Sequence, residues 1–386
     1  MSFDRSRAGL DRRAFLRGTA AAATLALAGC ATFPAPSPVS GPARLRLLGE
    51  TLLPHGLQFR GTTVGGLSGI DHDPATGLWV ALSDDRSELQ PARFYTLRID
   101  SQAGKLDVQL LDVVTLRGAD GKPFPPRATR GQVVDPEAIR ILPGGRGVLW
   151  TSEGDPRVEQ PPALFESRLD GSQVREFALP EMFRFAARAG TGPRDNLTFE
   201  GLALTPDARN AWVAMENALQ QDGPEPAVGR AGGPCRFTAF DVERGLAIRQ
   251  VAYLPDAIPQ APRVPGGPAD NGVSEILMID EHRMLVLERA FMFGIGVSLR
   301  LYEIDTRTAS DTLAQPRLRE GAYRPAAKRL VADFAQLGLS RLDNTEGMCW
   351  GPRQPDGHRS LVVVSDDNFS ARQVTQFAAF DYEESA

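Results

Sequence analysis

The sequence predicts an all-β protein folded as a β-propeller of five four-stranded blades. Three observations lead to this prediction: a segment pattern that recurs five times, four strand-like runs per recurrence, and one additional strand-like run before the first recurrence. Repeats of several tens of residues that each supply four short strands are typical of propeller blades. A sixth blade, formed from the long inserts between repeats, is the structural alternative.

Each repeat opens with an apolar segment that carries a polar residue at its second position. These segments read LSGIDHD from Leu67, PEAIRIL from Pro136, FEGLALT from Phe199, SEILMID from Ser274 and TEGMCWG from Thr345. The polar residues placed in register are Ser68, Glu137, Glu200, Glu275 and Glu346, with separations of 69, 63, 75 and 71 residues. The long, nearly regular period indicates that the segments are equivalent strands.

A second apolar run follows each opening segment after a turn. The five runs read LWVALSDD, GVLWTSEG, AWVAMENA, MLVLERA and LVVVSDDN, and the acids at their ends are Asp84, Glu153, Glu216, Glu288 and Asp366. The spacings from the first polar position to the second are 16, 16, 16, 13 and 20 residues. Because adjacent antiparallel strands bring the start of one beside the end of the other, each pair of positions is expected to meet at one end of its blade.

Third and fourth strand-like segments complete the repeats. The third segments read RFYTLRID, ALFESRLD, CRFTAFD, LRLYEID and TQFAAFD, and the fourth read VQLLDVVTL, VREFALP, IRQVAYLP and KRLVADF. The last repeat has no fourth segment, and Arg44 to Leu53, before the first repeat, can supply it. We therefore predict a ring closed by this N-terminal strand, in a propeller domain that spans residues 44–382.

The first 30 residues have the features of an export signal. Arg12 and Arg13 precede a short apolar run, which resembles a twin-arginine signal, and the run ends in LAGC at Cys30, which resembles a bacterial lipobox. The run is shorter than the roughly 20 apolar residues that span a bilayer. We therefore expect residues 1–30 to direct twin-arginine export, with Cys30 as the lipidated first residue of the mature protein.

The segment after Cys30 predicts how the domain is attached. Residues 31–43 contain several prolines and form a stiff, extended tether in this interpretation. Ala31, rather than Asp, follows the cysteine, which favours the outer membrane as the destination. The expected location is periplasmic, with membrane attachment through the lipid on Cys30.

Composition excludes some classes of function. The chain has 43 Lys plus Arg against 48 Asp plus Glu, a net charge of -5, so it has no broad basic surface for nucleic acid. Its four histidines do not occur in paired motifs, which disfavours a zinc site. The sequence also lacks a P-loop and a dinucleotide fingerprint, and the GGLSG segment around Ser68 does not fit the G-x-S-x-G nucleophile elbow.

The propeller geometry predicts an acidic mouth at one end of the axial channel. A first ring, formed by the polar residues of the five opening segments, and a second ring, formed by the acids that end the five second runs, would meet there. Gly- and Pro-rich inserts at 118–134, 184–198, 220–234 and 256–272 would form the wall of the pocket. Crowded carboxylates need countercharge, and Ca²⁺ binds six to eight oxygens in flexible geometry. We therefore predict a calcium site among Asp84, Glu137, Glu153, Glu200, Glu216, Glu275, Glu288, Glu346 and Asp366.

The alternative for these acids is structural. Individual carboxylates could pair with arginine or cap backbone amides between blades. Two sequence neighbours illustrate this possibility: Glu288 is followed by Arg289, and Asp85 is followed by Arg86.

Several ordered blocks resemble the phytase-like domain family, also described as the esterase-like activity of phytase family. They include GGLSGIDHDPATGLWVALSDDRS, DPEAIR, TSEGD, NLTFEGLAL, AMENALQQDG, NGVSEIL, VLERA, DNTEGM and VVVSDDNFS, between residues 65 and 380. The family name links it to alkaline phytases, six-bladed propellers with a calcium-lined mouth, whereas five blades are counted here.

The resemblance implies calcium-dependent hydrolysis of a small phosphate ester. Calcium ions held by the two rings would polarise the phosphoryl oxygens while water attacks. Glu200 and Glu275 are the acids expected to matter most for the reaction, and Arg86 and Arg289 would clamp substrate oxygens.

Two other functions remain open from the sequence. A calcium-dependent lactonase or carboxylic esterase would use the same acidic mouth. A non-catalytic envelope lipoprotein would bind a ligand there. In each case we expect a monomer that contacts a small molecule.

Overall fold

A computed structural model describes residues 44–102, 104–127, 131–185 and 190–384. The predicted signal segment, residues 1–30, and the tether, residues 31–43, lie outside these described residues. Among the described residues, none of the helices combines the length and apolar character required to cross a membrane.

The described strands form three separate four-stranded antiparallel sheets, one eight-stranded sheet and one small hairpin. The eight-stranded sheet consists of two four-stranded antiparallel sets that a single parallel pair joins, and each set of four is called a sheet below. Strand β1 (Arg44–Leu53) precedes the hairpin of β2 (Gln58–Phe59) and β3 (Thr62–Thr63). The first sheet contains β4 (Leu67–Asp73), β5 (Leu78–Ser83), β6 (Arg93–Gln102) and β7 (Lys105–Thr115). The second contains β8 (Pro136–Leu142), β9 (Gly147–Ser152), β10 (Ala163–Ser167) and β11 (Gln173–Glu176).

The remaining sheets repeat this arrangement. The third contains β12 (Phe199–Leu204), β13 (Asn210–Met215), β14 (Cys235–Asp241) and β15 (Leu246–Tyr253), and the fourth contains β16 (Ala269–Met278), β17 (Arg283–Met292), β18 (Gly296–Asp305) and β19 (Lys328–Asp333). The fifth contains β20 (Asn344–Trp350), β21 (Arg359–Asp366), β22 (Thr375–Glu383) and β1. Short 3-10 turns lie at Pro143–Gly145, Pro156–Val158, Glu181–Phe183, Thr306–Thr308 and Phe334–Gln336.

The sheets are arranged as a closed ring. Their first strands contact one another in the cyclic order β4, β8, β12, β16, β20 and back to β4. Five buried apolar clusters lie between neighbouring sheets and follow the same cycle. Because neighbouring sheets cover the inner strands on both faces, those strands are buried along most of their length, whereas outer strands such as β7 and β11 are partly exposed. The predicted all-β propeller class is confirmed.

The N-terminal strand closes the ring as predicted. β1 pairs antiparallel with β22 from Arg44 opposite Glu383 to Leu53 opposite Thr375. It also meets β7 at a single pair, Glu50 and Lys105, which links the last sheet to the first. Within the described parts of the inserts between repeats, no further sheet is present.

Candidate functional site: an acidic mouth

The same backbone irregularity marks one end of all five first strands. Their pairing with the second strands is interrupted by a register shift at or next to the first-ring position. A β-bulge re-aims the side chain that it carries, and such bulges are common beside functional sites. The residues at the shift are Ser68, Glu137, Glu200, Ser274 and Glu346.

The fourth sheet departs from the sequence prediction by one residue. Its bulge lies between Val273 and Glu275, so Ser274 occupies the position assigned above to Glu275. A shift of one residue along a strand turns each side chain to the opposite face. The prediction that Glu275 lines the mouth is therefore wrong.

Glu275 instead closes the axial channel with Arg140. The two side chains are almost fully buried, and Arg140 Nη2 donates to Glu275 Oε2 at 2.8 Å. The guanidinium also donates to the carbonyls of Ile70, Ile139, Ile276 and Met348, which belong to four of the five first strands. Glu275 Oε1 accepts a hydrogen bond of 2.9 Å from the backbone of Leu202 in the remaining one. This pair joins all five first strands below the mouth.

The second ring is also displaced in the fourth sheet. In the other sheets the second-ring residues are Asp84, Glu153, Glu216 and Asp366, and each directly follows the residue that pairs with the residue before the bulge. In β17 the residue opposite Val273 is Glu288, so the next residue, Arg289, takes the ring position. The fourth sheet therefore contributes serine and arginine where the other sheets contribute mainly carboxylates.

The prediction that Glu288 lines the mouth is wrong for the same reason. Its buried carboxylate lies on the other face of β17, where Oε1 accepts from Lys328 Nζ at 2.7 Å and from the Tyr253 hydroxyl at 2.5 Å. Oε2 accepts from the amide of Asn271 and the backbone of Asp256. These four donors make Glu288 a structural residue, as the alternative above anticipated for some acids.

The remaining predicted residues surround a pocket of about 740 Å³. Its wall includes Asp84, Arg86, Glu137, Glu200, Glu216, Arg289, Glu346 and Asp366 from the predicted set. Glu153 lies behind Glu200 and Glu216 and is almost fully buried. Asp270 and Asp343 also line the pocket and were not predicted.

Two groups of three carboxylates lie at the base of this pocket. Asp135, Glu137 and Glu153 form one group, and Glu153, Glu200 and Glu216 form the other, with oxygens within 4.8 Å of one another in each group. Asp135 was missed by the sequence analysis, although it directly precedes the second-repeat segment PEAIRIL. Its position beside Glu137 in the segment DPEAIR was the available signal.

Burial and mutual repulsion raise the pKa values of these acids. Desolvation is the main cause for Glu137 and Glu200, whose pKa values lie well above the usual range, and neighbouring carboxylates add to it. Burial raises the pKa of Glu153 to about 7, because the hydrogen bond from Thr198 and the charge of Arg86 offset it only in part. Without a countercharge, these acids cannot all be ionised at neutral pH.

The arginines in the pocket wall do not supply enough countercharge for the buried acids. Arg341 and Arg372 are exposed, and Arg341 is paired with Asp343, so Arg86 and Arg289 are the cations that lie near these acids. Arg86 Nε lies 2.6 Å from Asp135 Oδ1, so this cation is committed to one carboxylate. Arg289 lies 3.6 Å from Glu216 and 3.7 Å from Glu346, beyond ordinary hydrogen-bond distance. Its buried Nε has no hydrogen-bond partner among the described residues.

The donor set fits a hard cation. Both groups of three consist of carboxylates alone, and neither histidine nor cysteine lines the pocket within the described residues. Calcium prefers such oxygen ligands, whereas zinc and other softer metals favour nitrogen or sulfur. The residues suited to hold calcium are Asp135, Glu137, Glu153, Glu200 and Glu216.

A separate group of possible ligands lies at the opposite end of the fifth sheet. Asp356, His358 and Asp381 approach one another there, but Asp381 is also paired with Arg46 at 3.0 Å. His358 Nδ1 lies 3.0 Å from Asp381 Oδ1. These contacts join β21, β22 and β1, which suits a structural role in closing the ring.

The fold has distant relatives among solved structures. A Coprinopsis cinerea GH62 α-L-arabinofuranosidase catalytic domain is 11% identical with a TM-score of 0.41, over 89% of this chain and 98% of that one. The periplasmic gluconolactonase PpgL of Pseudomonas aeruginosa is 14% identical with a TM-score of 0.36, over 85% and 91%. Hydrazine synthase of Kuenenia stuttgartiensis is 13% identical with a TM-score of 0.33, and this match covers 80% of this chain and 59% of that chain. Likenesses at this level carry no functional argument.

The family comparison is more informative. No curated protein is similar enough to this sequence to count as a match. Residues 62–369, which include all five first strands and the carboxylates of the mouth, match the model described as "Phytase-like: Esterase-like activity of phytase". This match supports a hydrolase. The chain belongs to the phytase-like family.

Proposed function

We propose that the protein is a calcium-dependent hydrolase of phosphate esters that acts at the acidic mouth. The observation that carries this proposal is the pair of carboxylate groups that share Glu153 at the base of the pocket. Buried acids with raised pKa values destabilise the folded protein unless cations pair with them, and too few cations pair with the acids in this pocket. These acids form a suitable site for a divalent cation.

Calcium would balance the carboxylates and supply the positive charge that a phosphate ester requires. Bound there, it would polarise the phosphoryl oxygens and stabilise negative charge that develops on them. Asp135, Glu137, Glu153, Glu200 and Glu216 would hold it. Without calcium the acidic wall repels a phosphate dianion, so substrate binding is expected to depend on the metal.

Arg289 is the side chain best placed to bind the phosphoryl group directly. Its guanidinium lies in the pocket wall, and its distances of 3.6 to 3.7 Å to Glu216, Glu346 and Asp270 leave its donors without short acceptors. A planar guanidinium donates two parallel hydrogen bonds to phosphate oxygens. Arg86 is committed to Asp135, so we assign it to positioning that ligand rather than to clamping substrate.

Asp84 is suited to protonate the leaving alcohol oxygen. Burial, followed by the charges of Asp366 and Glu346, raises the pKa of Asp84 well above its usual range. Burial also raises the pKa of Asp366, although the hydrogen bonds that its carboxylate accepts from Asn344 Nδ2 and Asn368 N oppose this rise. We assign the proton that the two carboxyl groups would share to Asp84. A general acid with a pKa near the working pH is effective in such a step.

We also propose that the protein is exported by the twin-arginine route and anchored in the periplasm, at the outer membrane, through a lipid on Cys30. The order of the paired arginines, apolar run and terminal cysteine supports this proposal. Metabolic labelling with a radioactive fatty acid tests it, because Cys30→Ser should lose the label.

The functional test compares two chromogenic esters. Protein stripped of metal is assayed on p-nitrophenyl phosphate and p-nitrophenyl acetate, with and without added Ca²⁺. We expect calcium-dependent release from the phosphate ester, and loss of at least a hundredfold in the Glu200→Gln, Glu216→Gln double variant. The matched control is Glu243→Gln, which neutralises an exposed carboxylate outside the mouth.

Three outcomes would overturn the proposal. Calcium-dependent turnover of the acetate alone would assign the mouth to carboxylic esters or lactones. Inactivity on both esters, with a small molecule retained at the mouth, would indicate a ligand-binding protein. Phosphatase activity that survives the double variant would place the reaction elsewhere.

A further inference from the structure

One side of the mouth is taller than the rest. Strands β16, β17 and β18 each contain 10 residues, whereas the corresponding strands of the third sheet contain six, six and seven. The β17–β18 pairing continues past Arg289 to Met292 opposite Gly296. At about 3.3 Å per residue, Phe291 lies roughly 7 Å beyond the ring position of Arg289 along the strand. The fourth sheet therefore forms a wall above the carboxylates.

The top of this wall exposes a group of large apolar side chains. Phe293 and Ile295, in the turn between β17 and β18, are 46% and 40% exposed, and Val264 is 50% exposed. We call these three residues the apolar lip. Two backbone hydrogen bonds of 2.9 Å fix its geometry, from Arg263 N to Phe293 O and from Phe293 N to Pro268 O.

The apolar lip is continuous with the wall of the pocket. Phe291 and Val297, which face each other across β17 and β18, line the pocket and flank the exposed turn. Leu197 and Leu342, which shortly precede the first strands of the neighbouring third and fifth sheets, add to this wall. An apolar patch rimmed by polar residues marks a contact surface, and here it adjoins the proposed reaction site. A substrate with its ester group at the carboxylates and Arg289 would place its organic group against these side chains.

We infer that the apolar lip binds the organic group of the ester, and that the preferred substrates carry an extended apolar alcohol rather than a small polar one. This inference rests on the proposed function, since it requires hydrolysis at the acidic mouth. A highly charged polyol phosphate would leave Phe291, Phe293 and Ile295 without an apolar partner. An alkyl or alkylaryl group would cover them.

The test uses two phosphate esters with similarly acidic leaving groups. Phenyl phosphate and 4-octylphenyl phosphate release phenols of nearly equal acidity, so a difference in kcat/KM reports contacts of the octyl chain. We expect 4-octylphenyl phosphate to be preferred by at least about tenfold below its micelle-forming concentration. Such a factor corresponds to about 1.4 kcal/mol, or about two buried methylene groups.

The variant Phe293→Ser, Ile295→Ser should bring the ratio of kcat/KM for 4-octylphenyl phosphate to that for phenyl phosphate close to one. Leu330→Ser is the matched control, because Leu330 is 48% exposed on the outer strand of the same sheet and lies outside the pocket wall. The control should keep the preference.

The outcomes separate the two proposals. Turnover of phenyl phosphate without a preference for the octyl ester, or a preference that survives the double variant, would overturn the role of the apolar lip. Inactivity on both phosphate esters would overturn the proposed phosphatase. In that case p-nitrophenyl acetate and p-nitrophenyl octanoate give the same comparison for carboxylic esters. Vesicle binding that depends on Phe293 without any substrate preference would assign the lip to a lipid surface and refute the inference.

Discussion

Replacing Glu153 with Gln should change protein stability in opposite directions with and without calcium. Glu153 belongs to both carboxylate groups, and its side chain is almost fully buried. Its Oε1 accepts a hydrogen bond of 2.5 Å from Thr198 N, which the oxygen of Gln can also accept. The substitution therefore removes the charge while keeping the shape and this contact.

The expected magnitude follows from the pKa of Glu153. Folding raises this pKa from 4.5 to about 7, so between these values the folded state binds more protons than the unfolded state. Stability without metal therefore falls as pH rises through that window. At about 1.4 kcal/mol per unit, the effect at pH 8 is on the order of 3 kcal/mol. Glu153→Gln should recover about 1–3 kcal/mol of the unfolding free energy in the metal-free protein.

Calcium should reverse the order of stability. A ligand that binds only the folded state stabilises it by about 4.1 kcal/mol at 1,000 times its Kd, which exceeds the metal-free advantage of Gln. The wild-type protein should gain this amount and the Gln variant should not. Urea unfolding at pH 8, followed by tryptophan fluorescence with chelator or with Ca²⁺, measures both differences.

One result would refute this reasoning. If Glu153 is an ordinary structural partner of arginine, Gln should destabilise the protein by the same amount with and without calcium. Repeating the metal-free measurement at pH 5 provides a control, because the advantage of Gln should then nearly disappear.

Four further expectations concern other parts of the chain. Arg140→Met should lower the unfolding free energy measured in urea by about 3–5 kcal/mol, because it leaves the buried carboxylate of Glu275 unpaired. Calcium should still stabilise this variant, and a loss of the calcium response would place Arg140 in the metal site. Asp84→Asn should lower kcat more for phenyl phosphate than for p-nitrophenyl phosphate, since the poorer leaving group needs the proton more, and equal losses would exclude the general-acid role. Deletion of residues 44–53 exposes the edge of β22 and should cause aggregation in light scattering, whereas a soluble, equally stable truncation would show that β1 is dispensable. Replacing Arg12 and Arg13 with Lys should retain the precursor in the cytoplasm on fractionation, and normal export would reject the twin-arginine assignment.

The repeat in the sequence was sufficient to predict the fold because propeller sheets have the same local pattern. Each sheet needs an inner apolar strand, two further strands and an outer one, and the chain supplies these in order. Even the closing strand β1 could be inferred, since the last repeat lacked one segment. Period and composition therefore carried most of the information about architecture.

The fourth sheet shows what the pattern could not settle. Aligning Glu275 with the glutamates of the other opening segments gave a spacing of 13 residues to Glu288, the shortest of the five spacings. Aligning NGVSE with GGLSG instead places Ser274 with Ser68 and Gly272 with Gly66, which agrees with the bulge. Matching residues by type was misleading because the register of a strand determines which face each side chain occupies. A shift of one residue moves every side chain to the opposite face.

Other features depend on contacts that sequence spacing does not encode. Arg140 meets Glu275 across 135 positions, and it also contacts the carbonyls of strands from four repeats. Arg140 stands between Ile139 and Ile141 in an inner strand, but nothing near it in the sequence indicates that Glu275 is its partner. The commitment of Arg86 to Asp135 likewise follows from the packing of the first and second sheets.

Calorimetric titration of metal-free protein with Ca²⁺ tests for the proposed site without relying on catalysis. We expect saturable binding to the wild-type protein with release of protons, since the acids proposed to hold calcium have raised pKa values. Glu200→Gln, Glu216→Gln should abolish binding, while Glu243→Gln should leave it unchanged. Absence of heat and of a thermal shift at millimolar Ca²⁺, or unchanged binding in the double variant, would contradict a calcium site at the acidic mouth.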